Sequence, residues 1–345
     1  MTATDTSTAT IRRSALATVP DLPEIQPRRI APWRALMLGR YAHKVRMQAL
    51  STAVRQLGGE VTAVEDDITS SLLRVTEPAL AVRFAFTAGT HAEEALARGI
   101  LRARGLPLLV LDLGFIRRSQ HGEDLKGYNQ LGLGRCCWIP GGPLPPDRLA
   151  LLDVTIAPPV TRERPAVALL LGQMPGDSQH GLNSAQLAAW LIERGGYWLA
   201  RGYELHYRPH PSAPAMELRG LKVTPRPVVN EPLSRALAAA RVAVCFNSTA
   251  GLEAILAGVA VDCSPEAHYA HVAGYGWGRD VNDAAAPYVD LTDVTEFLAQ
   301  LAYGQWTIPE LQSGLALRWL ARHCPELHAL DALLRAAEVT TGGAA

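Results

Sequence analysis

No C-x-x-C pair occurs in this chain, and its 345 residues hold only five cysteines. Cys136 and Cys137 are adjacent, and Cys245 and Cys263 lie in apolar, strand-like runs. Neither a disulfide framework nor a zinc or redox pair is indicated, and this usage fits a reducing, cytoplasmic setting. No apolar run reaches the roughly 18 residues needed to span a bilayer, so no integral membrane segment is expected. The opening MTATDTSTAT lacks the apolar stretch of a signal peptide. It reads as a disordered tail, as does the closing TTGGAA. An excess of one charge is also missing, because Lys+Arg and Asp+Glu number 33 each. A histone-like polycation and an acidic-tail protein are thereby excluded. Finally, there is no G-x-G-x-x-G and no Walker A sequence, which disfavours a dinucleotide dehydrogenase and a P-loop nucleotidase.

What is present is enough for a sizeable core. Apolar residues make up 48% and charged residues 19% of the chain, and the length suits about two domains of roughly 150 residues. Charge is unevenly placed: residues 1–57 carry nine basic side chains against Asp5, Asp21 and Glu24. That segment is either a phosphate-facing surface or an ordinary solvated face with a tail. Beyond Trp33 the pattern alternates strands and helices. Ala35–Gly39, Val61–Asp66, Val82–Phe86 and Leu106–Asp112 read as strands. Residues 42–57 read as a helix stopped by Gly58-Gly59, and His91–Arg104 as a helix opened by Thr90. Glycine and proline cluster over residues 114–165 and break this rhythm, which predicts a long functional loop or linker. The rhythm then restarts with strands at Ala166–Gly172, Tyr203–Arg208, Val242–Phe246 and Val259–Asp262. Helices are expected at Ser184–Arg201, Pro232–Ala240 and Thr249–Ala257, and across most of Val294–Glu338. The expected fold class is α/β: two Rossmann-like βα domains, each a parallel sheet with helices on both faces, facing across a cleft. The expected division is a tail at 1–30, a first domain at 31–160, a second domain at 161–325, and a terminal helix and tail at 326–345.

Two segments carry most of the chemistry. Val242–Asp262 runs from an apolar strand through Asn247-Ser248-Thr249-Ala250-Gly251 into a helix carrying Glu253, then past Gly258 to a second strand. Such a strand-to-helix turn leaves backbone N–H groups unpaired, and the helix dipole favours an anion there. Small hydroxylated residues let the anion approach, Gly251 removes a crowding side chain, and Glu253 is spaced to reach a ribose. The plain alternative is a capped helix. Tyr207-Arg208-Pro209-His210-Pro211 follows another strand. Arg208 is a permanent cation suited to phosphate or carboxylate, and His210 is a phosphate donor or an acid/base group. A stiff surface turn is the plain alternative. Ligands of open α/β sheets bind at the carboxyl ends of the strands, where this segment sits.

Weaker signals flank these. Leu171–Ser178 is a glycine-rich strand exit that offers Gly172 and Gln173, or is a simple turn. Asp112–Arg118 closes a strand with Arg117 and Arg118 beside it. Gly127-Tyr128-Asn129-Gln130 and Trp138 follow as a possible acceptor surface, with local packing the competing reading. Thr87–His91 closes a strand and opens a helix, which places His91 as an acid/base candidate; Asp262 and Glu266 hold a similar position later.

Together these residues resemble the two-domain GT-B glycosyltransferases, particularly the capsule-polysaccharide group that includes 3-deoxy-manno-octulosonate (Kdo) transferases, and also glycosyltransferase-like proteins of bacteriophages. The late family signature Asn-Ser-[Ser/Thr]-x-Gly-x-Glu-Ala is matched by Asn247, Ser248, Thr249, Gly251, Glu253 and Ala254. Its following Gly-x-Pro-Val is met by Gly258, Ala260 and Val261, with Ala260 in place of proline. The [Lys/Arg]-Pro-His-Pro element is matched by Arg208–Pro211. An Asp-Gly-Phe-x-Arg-Ser element is echoed by Asp112, Gly114, Phe115, Arg117 and Ser119, with Leu113 inserted. The resemblance spans residues 105–275. It implies a nucleotide-sugar co-substrate held mainly by the second domain, with no bound metal and no other cofactor, in keeping with the absence of a D-x-D motif.

Sugar transfer builds negative charge on the departing phosphate, and fixed donors aimed at that charge stabilise the transition state. Arg208, His210 and the Asn247–Thr249 turn are the expected donors. Asp112 or His91 is the expected base for the acceptor hydroxyl. Arg117, Arg118 and Tyr128 are the expected acceptor-side residues. The acceptor is a glycan or, alternatively, a hydroxymethylated pyrimidine base in phage-type DNA. A non-catalytic binding protein or a sugar-nucleotide epimerase of the same architecture are the remaining alternatives.

Overall fold

The computed structural model describes residues 9–10, 33–38, 45–64, 72, 80–84, 96, 99–118, 127–133, 141–161, 163–177, 179–274 and 289–342. In chain order its strands are β1 (Ala9–Thr10), β2 (Arg34–Leu38), β3 (Glu60–Val64), β4 (Leu80–Phe84), β5 (Leu108–Leu113) and β6 (Asn129–Leu133). They continue with β7 (Thr155–Ile156), β8 (Val167–Leu171), β9 (Glu204–Arg208), β10 (Arg226–Pro227), β11 (Val242–Cys245), β12 (Ala260–Cys263) and β13 (Gln305–Trp306). The chain divides into two compact units, one made of Ala15–Pro143 with Gln300–Ala345 and the other of Met1–Ser14 with Leu144–Ala299.

The first of these units is built on a sheet ordered β13-β6-β5-β4-β2-β3. The strands β3, β2, β4 and β5 run parallel, as the alternating pattern predicts. β6 is antiparallel to β5, with Asp112 opposite Gln130 and Val110 opposite Gly132, and β13 is antiparallel to β6. The sheet is therefore mixed, and the expected long loop at 114–165 contains a strand and, further on, the helix Asp147–Leu152. The sequence NQLGL conceals β6, because its polar residues are buried by tertiary contact and no run of apolar residues marks it. Helix Val45–Gln56 buries Met47, Leu50 and Val54 against the sheet and against Trp306, Leu311, Leu317 and Leu320, one continuous apolar cluster. The helices Ile308–Gln312, Leu315–His323 and His328–Gly342 belong to this unit. The last of them runs through Thr340–Gly342, the beginning of the stretch expected to be a tail.

The second unit has a five-stranded sheet ordered β10-β9-β8-β11-β12, parallel throughout. β8 and β11 are buried along their whole length, which their unbroken apolar sequences require. Helix Ser184–Leu199 starts with a capping box in which Asn183 and Gln186 exchange side-chain-to-backbone bonds. Its Leu187, Leu191 and Trp198 pack on Leu170, Leu205 and Val244. β1 pairs antiparallel with β7, so Ala9–Thr10 forms a strand within the expected 1–30 tail; the rest of that tail lies outside the described residues.

The first division falls at Pro143–Leu144 rather than at 160/161, for a concrete reason. Ala157 and Val160 are bonded at the end of the helix Thr249–Leu256 and just beyond it, Ala157 N–H donating to Leu256 O and Val160 N–H to Gly258 O, both at 2.8 Å. Gly258 has φ +73, and a Cβ there would lie 2.1 Å from Pro158 O. Only glycine permits that approach.

Candidate functional site

In a parallel sheet the carboxyl ends of all strands lie on one edge. Because β9, β8 and β11 are neighbours, the segments that follow them come together. Leu171 stands opposite Arg208 in the β8–β9 register, and Gly172 N–H donates to Arg208 O at 2.8 Å. The Arg208 Nε is buried and has no hydrogen-bond partner among the described residues. A guanidinium N–H removed from water without a partner costs about 1–3 kcal/mol. Two residues on, His210 Nδ1 accepts from Ser212 N–H at 3.1 Å. The neutral ring therefore carries its hydrogen on Nε2, as a donor.

Ser248 begins the helix Thr249–Leu256 in extended backbone, and its Oγ accepts from Ala250 N–H at 3.2 Å. Its carbonyl receives the Tyr269 hydroxyl at 2.6 Å. That hydroxyl also lies 3.3 Å from Cys245 Sγ. Burial holds the Tyr269 hydroxyl far above its ordinary value and pushes the Cys245 thiol up to about 12. Both groups are neutral hydrogen-bonding fixtures rather than nucleophiles.

Several residues serve differently from the sequence expectation. Gln173 and Asn247 are turned on each other: Gln173 Nε2 donates to Asn247 Oδ1, and Asn247 N–H donates to Gln173 Oε1 at 3.3 Å. Asn247 Nδ2 donates to Gln179 O at 3.3 Å. Gly251 leaves room for Tyr269 rather than for a ligand, since a Cβ there would stand 2.3 Å from the hydroxyl oxygen. Glu253 is exposed on the helix. Asp262 is no acid/base group: it is buried, ion-paired with Arg194 at 2.8 Å, and accepts from Trp198 Nε1 at 2.7 Å. The second unit's edge thus gathers Arg208, His210, Ser248 and Thr249, with Tyr269 bonded to the Ser248 carbonyl and Gln173 to the adjacent Asn247.

In the first unit, Asp112 sits near the end of β5, where its Oδ1 accepts from Leu113 N–H at 2.7 Å. Arg46, missed in the sequence, lies close enough for its charge to be favoured by Asp112, although burial outweighs this and lowers its pKa. Its Nε donates to Asn129 Oδ1. Asn129 is fully buried and Gln130 and Tyr128 nearly so, so none of the three forms an open surface. Arg117 and Arg118 are exposed, and Arg117 adopts φ 48. Gln305 was also missed: its Oε1 accepts from Phe115 N–H at 2.8 Å and Ile116 N–H at 3.1 Å. No local pattern marks Arg46, Gln305 or Tyr269, since each acts on residues far along the chain. His91, Ser119, Trp138 and Ser178 lie outside the described residues. No helix among the described residues is long and apolar enough to cross a membrane.

No protein-family model matches the sequence, and no curated protein matches it. Solved structures do. The beta Kdo 2,4 transferase of Thermosulfurimonas dismutans KpsC superposes with a TM-score of 0.50 at 16% identity, covering 79% of this chain and 91% of that one. The beta Kdo 2,7 transferase of the same protein gives a TM-score of 0.48 at 15% identity, covering 82% and 99%. The first likeness shows a shared α/β fold.

Proposed function

We propose that this protein is a glycosyltransferase that moves a sugar from a nucleotide-sugar donor to an acceptor hydroxyl, with the donor phosphate seated at the carboxyl edge of β9, β8 and β11. The observation that carries the reading is the buried, unpartnered Arg208 Nε beside His210 and the Ser248–Thr249 helix start. A fixed cation and an oriented imidazole N–H would meet the charge that grows on the leaving phosphate, and the helix dipole adds to both. Neutralisation by protein groups lets the reaction proceed without a bound metal. The acceptor this reading favours is a glycan, by analogy with the proteins that share the fold. Asp112 is the candidate base, and Asp112→Asn is expected to abolish turnover while leaving nucleotide affinity intact.

A thermal-shift screen against nucleotide sugars and their nucleotides tests the reading, because a ligand that binds only the native state raises the apparent stability. At a ligand concentration of about 100 Kd the gain is about 2.7 kcal/mol. A rise with at least one donor is expected. No rise with any of them would overturn the proposal.

A further inference from the structure

Asn247 and Gln173 stand at the candidate phosphate site, yet their side-chain amides are already engaged within the protein. Asn247 bonds to both ends of the Gln173 amide and to Gln179 O. Gln173 follows β8 by two residues, and Gln179 lies in the same loop, which is closed on itself. In that loop Gly176 N–H donates to Leu182 O and Gly181 N–H to Asp177 O, both at 2.7 Å. One residue beyond Asn247, the Ser248 carbonyl is taken by Tyr269 from the segment after β12. Tyr269 is only 3% exposed, and Gly251 admits its ring against the first turn of the helix. The helix start is therefore tied on one side to β8 and on the other to the chain that leaves β12.

We propose that Gln173, Asn247 and Tyr269 are positioning residues: they touch no ligand, and they hold the Ser248–Thr249 turn in the orientation that receives an anion. This rests on the donor-phosphate reading above. An anion site of backbone and side-chain donors works best when the donors are fixed before the ligand arrives, since no reorganisation is then needed on binding or in the transition state. The bracket supplies that rigidity. It also accounts for polar side chains at the site that present nothing to a ligand.

The test compares wild type with Gln173→Leu, Asn247→Ala, Tyr269→Phe, Arg208→Met and the doubles Gln173→Leu/Asn247→Ala and Gln173→Leu/Arg208→Met. UMP, CMP, UDP and GDP are titrated into each, and amide hydrogen exchange is followed over residues 247–251. Each bracket variant is expected to bind about tenfold more weakly, the loss typical of one well-placed hydrogen bond. Exchange at 247–251 should quicken at least as much, while the melting temperature shifts little. The losses in Gln173→Leu and Asn247→Ala should add only in part, because both break the bond between Gln173 Nε2 and Asn247 Oδ1 while each breaks one other bond. Those in Gln173→Leu and Arg208→Met should add. Unchanged affinity and exchange in Gln173→Leu and Tyr269→Phe, alongside weakened binding in Arg208→Met, would overturn the positioning role alone. Absence of binding by wild type to all four nucleotides would remove the donor reading and this inference with it. Should Gln173→Leu not fold, Tyr269→Phe, which deletes a single oxygen, carries the test.

Discussion

Arg208 offers a prediction in which stability and binding move apart. Its Nε is buried and unpartnered in the ligand-free protein, so the folded state carries an unsatisfied donor. Arg208→Met keeps much of the apolar stem and removes that donor. The stability of the ligand-free protein in urea should then hold or rise, by up to about 1–3 kcal/mol, the usual cost of an orphaned buried polar group. Nucleotide affinity should move the other way. A hydrogen bond to a charged group contributes about 1.5–3 kcal/mol, equivalent to a roughly 10- to 150-fold weaker Kd. Arg208→Lys should recover only part of the affinity, because a lysine ammonium lacks the planar fork. Equilibrium denaturation and isothermal titration on the same preparations measure both quantities. If Arg208→Met lost more than about 1 kcal/mol of stability, a large share of what a surface-independent core change costs, and bound nucleotide like wild type, the guanidinium would be a structural group and the reasoning wrong.

Gly251→Ala should cost about 1–3 kcal/mol of stability by overpacking, since the new Cβ would meet the Tyr269 hydroxyl oxygen at 2.3 Å; an unchanged melting temperature would contradict the packing described. Asp262→Asn should cost about 2–3 kcal/mol in denaturant, somewhat less than a fully buried pair, because Arg194 is 28% exposed while Asp262 is 6% exposed. Burial lowers the pKa of His268 from its ordinary 6.5. The unfolded chain therefore takes up the proton first, so this contribution to stability is complete above about 6.5 and is lost as the pH falls through that value toward the folded pKa. His268→Gln should flatten the fall in stability between about pH 7 and 5; an identical slope would contradict it.

Strands β8, β11 and β12 are legible in the sequence because each is an apolar run closed by glycine or a polar turn, and β9 because its residues alternate between apolar and polar before Pro209. Their shared direction follows from the helices between them. Strand order is not written locally, yet it is the order β9-β8-β11 that brings Arg208 to Gly172 and Gln173 to Asn247. β6 escapes notice for the opposite reason: Asn129 and Gln130 are buried by partners at Arg46, Trp306 and the neighbouring strand, none of them near in sequence. At the site, residue types that suit anion binding are the same types that brace a turn. Arg208 and Gln173 are both polar strand exits, and only the observed bonds separate the unpartnered Arg208 Nε from the amide spent on Asn247. Gly251 misleads in the same way, because the space it provides is filled by Tyr269, 18 residues on.

The central claim is most directly tested by incubating the protein with a panel of nucleotide sugars, without acceptor, and following release of free nucleotide by phosphorus NMR. Transferases that activate the donor's anomeric bond slowly pass the sugar to water, so one donor should be consumed by wild type. Arg208→Met should consume it at least tenfold more slowly, matching the loss of one charge-assisted contact. Consumption of no donor, or consumption at the same rate by Arg208→Met, would contradict the account.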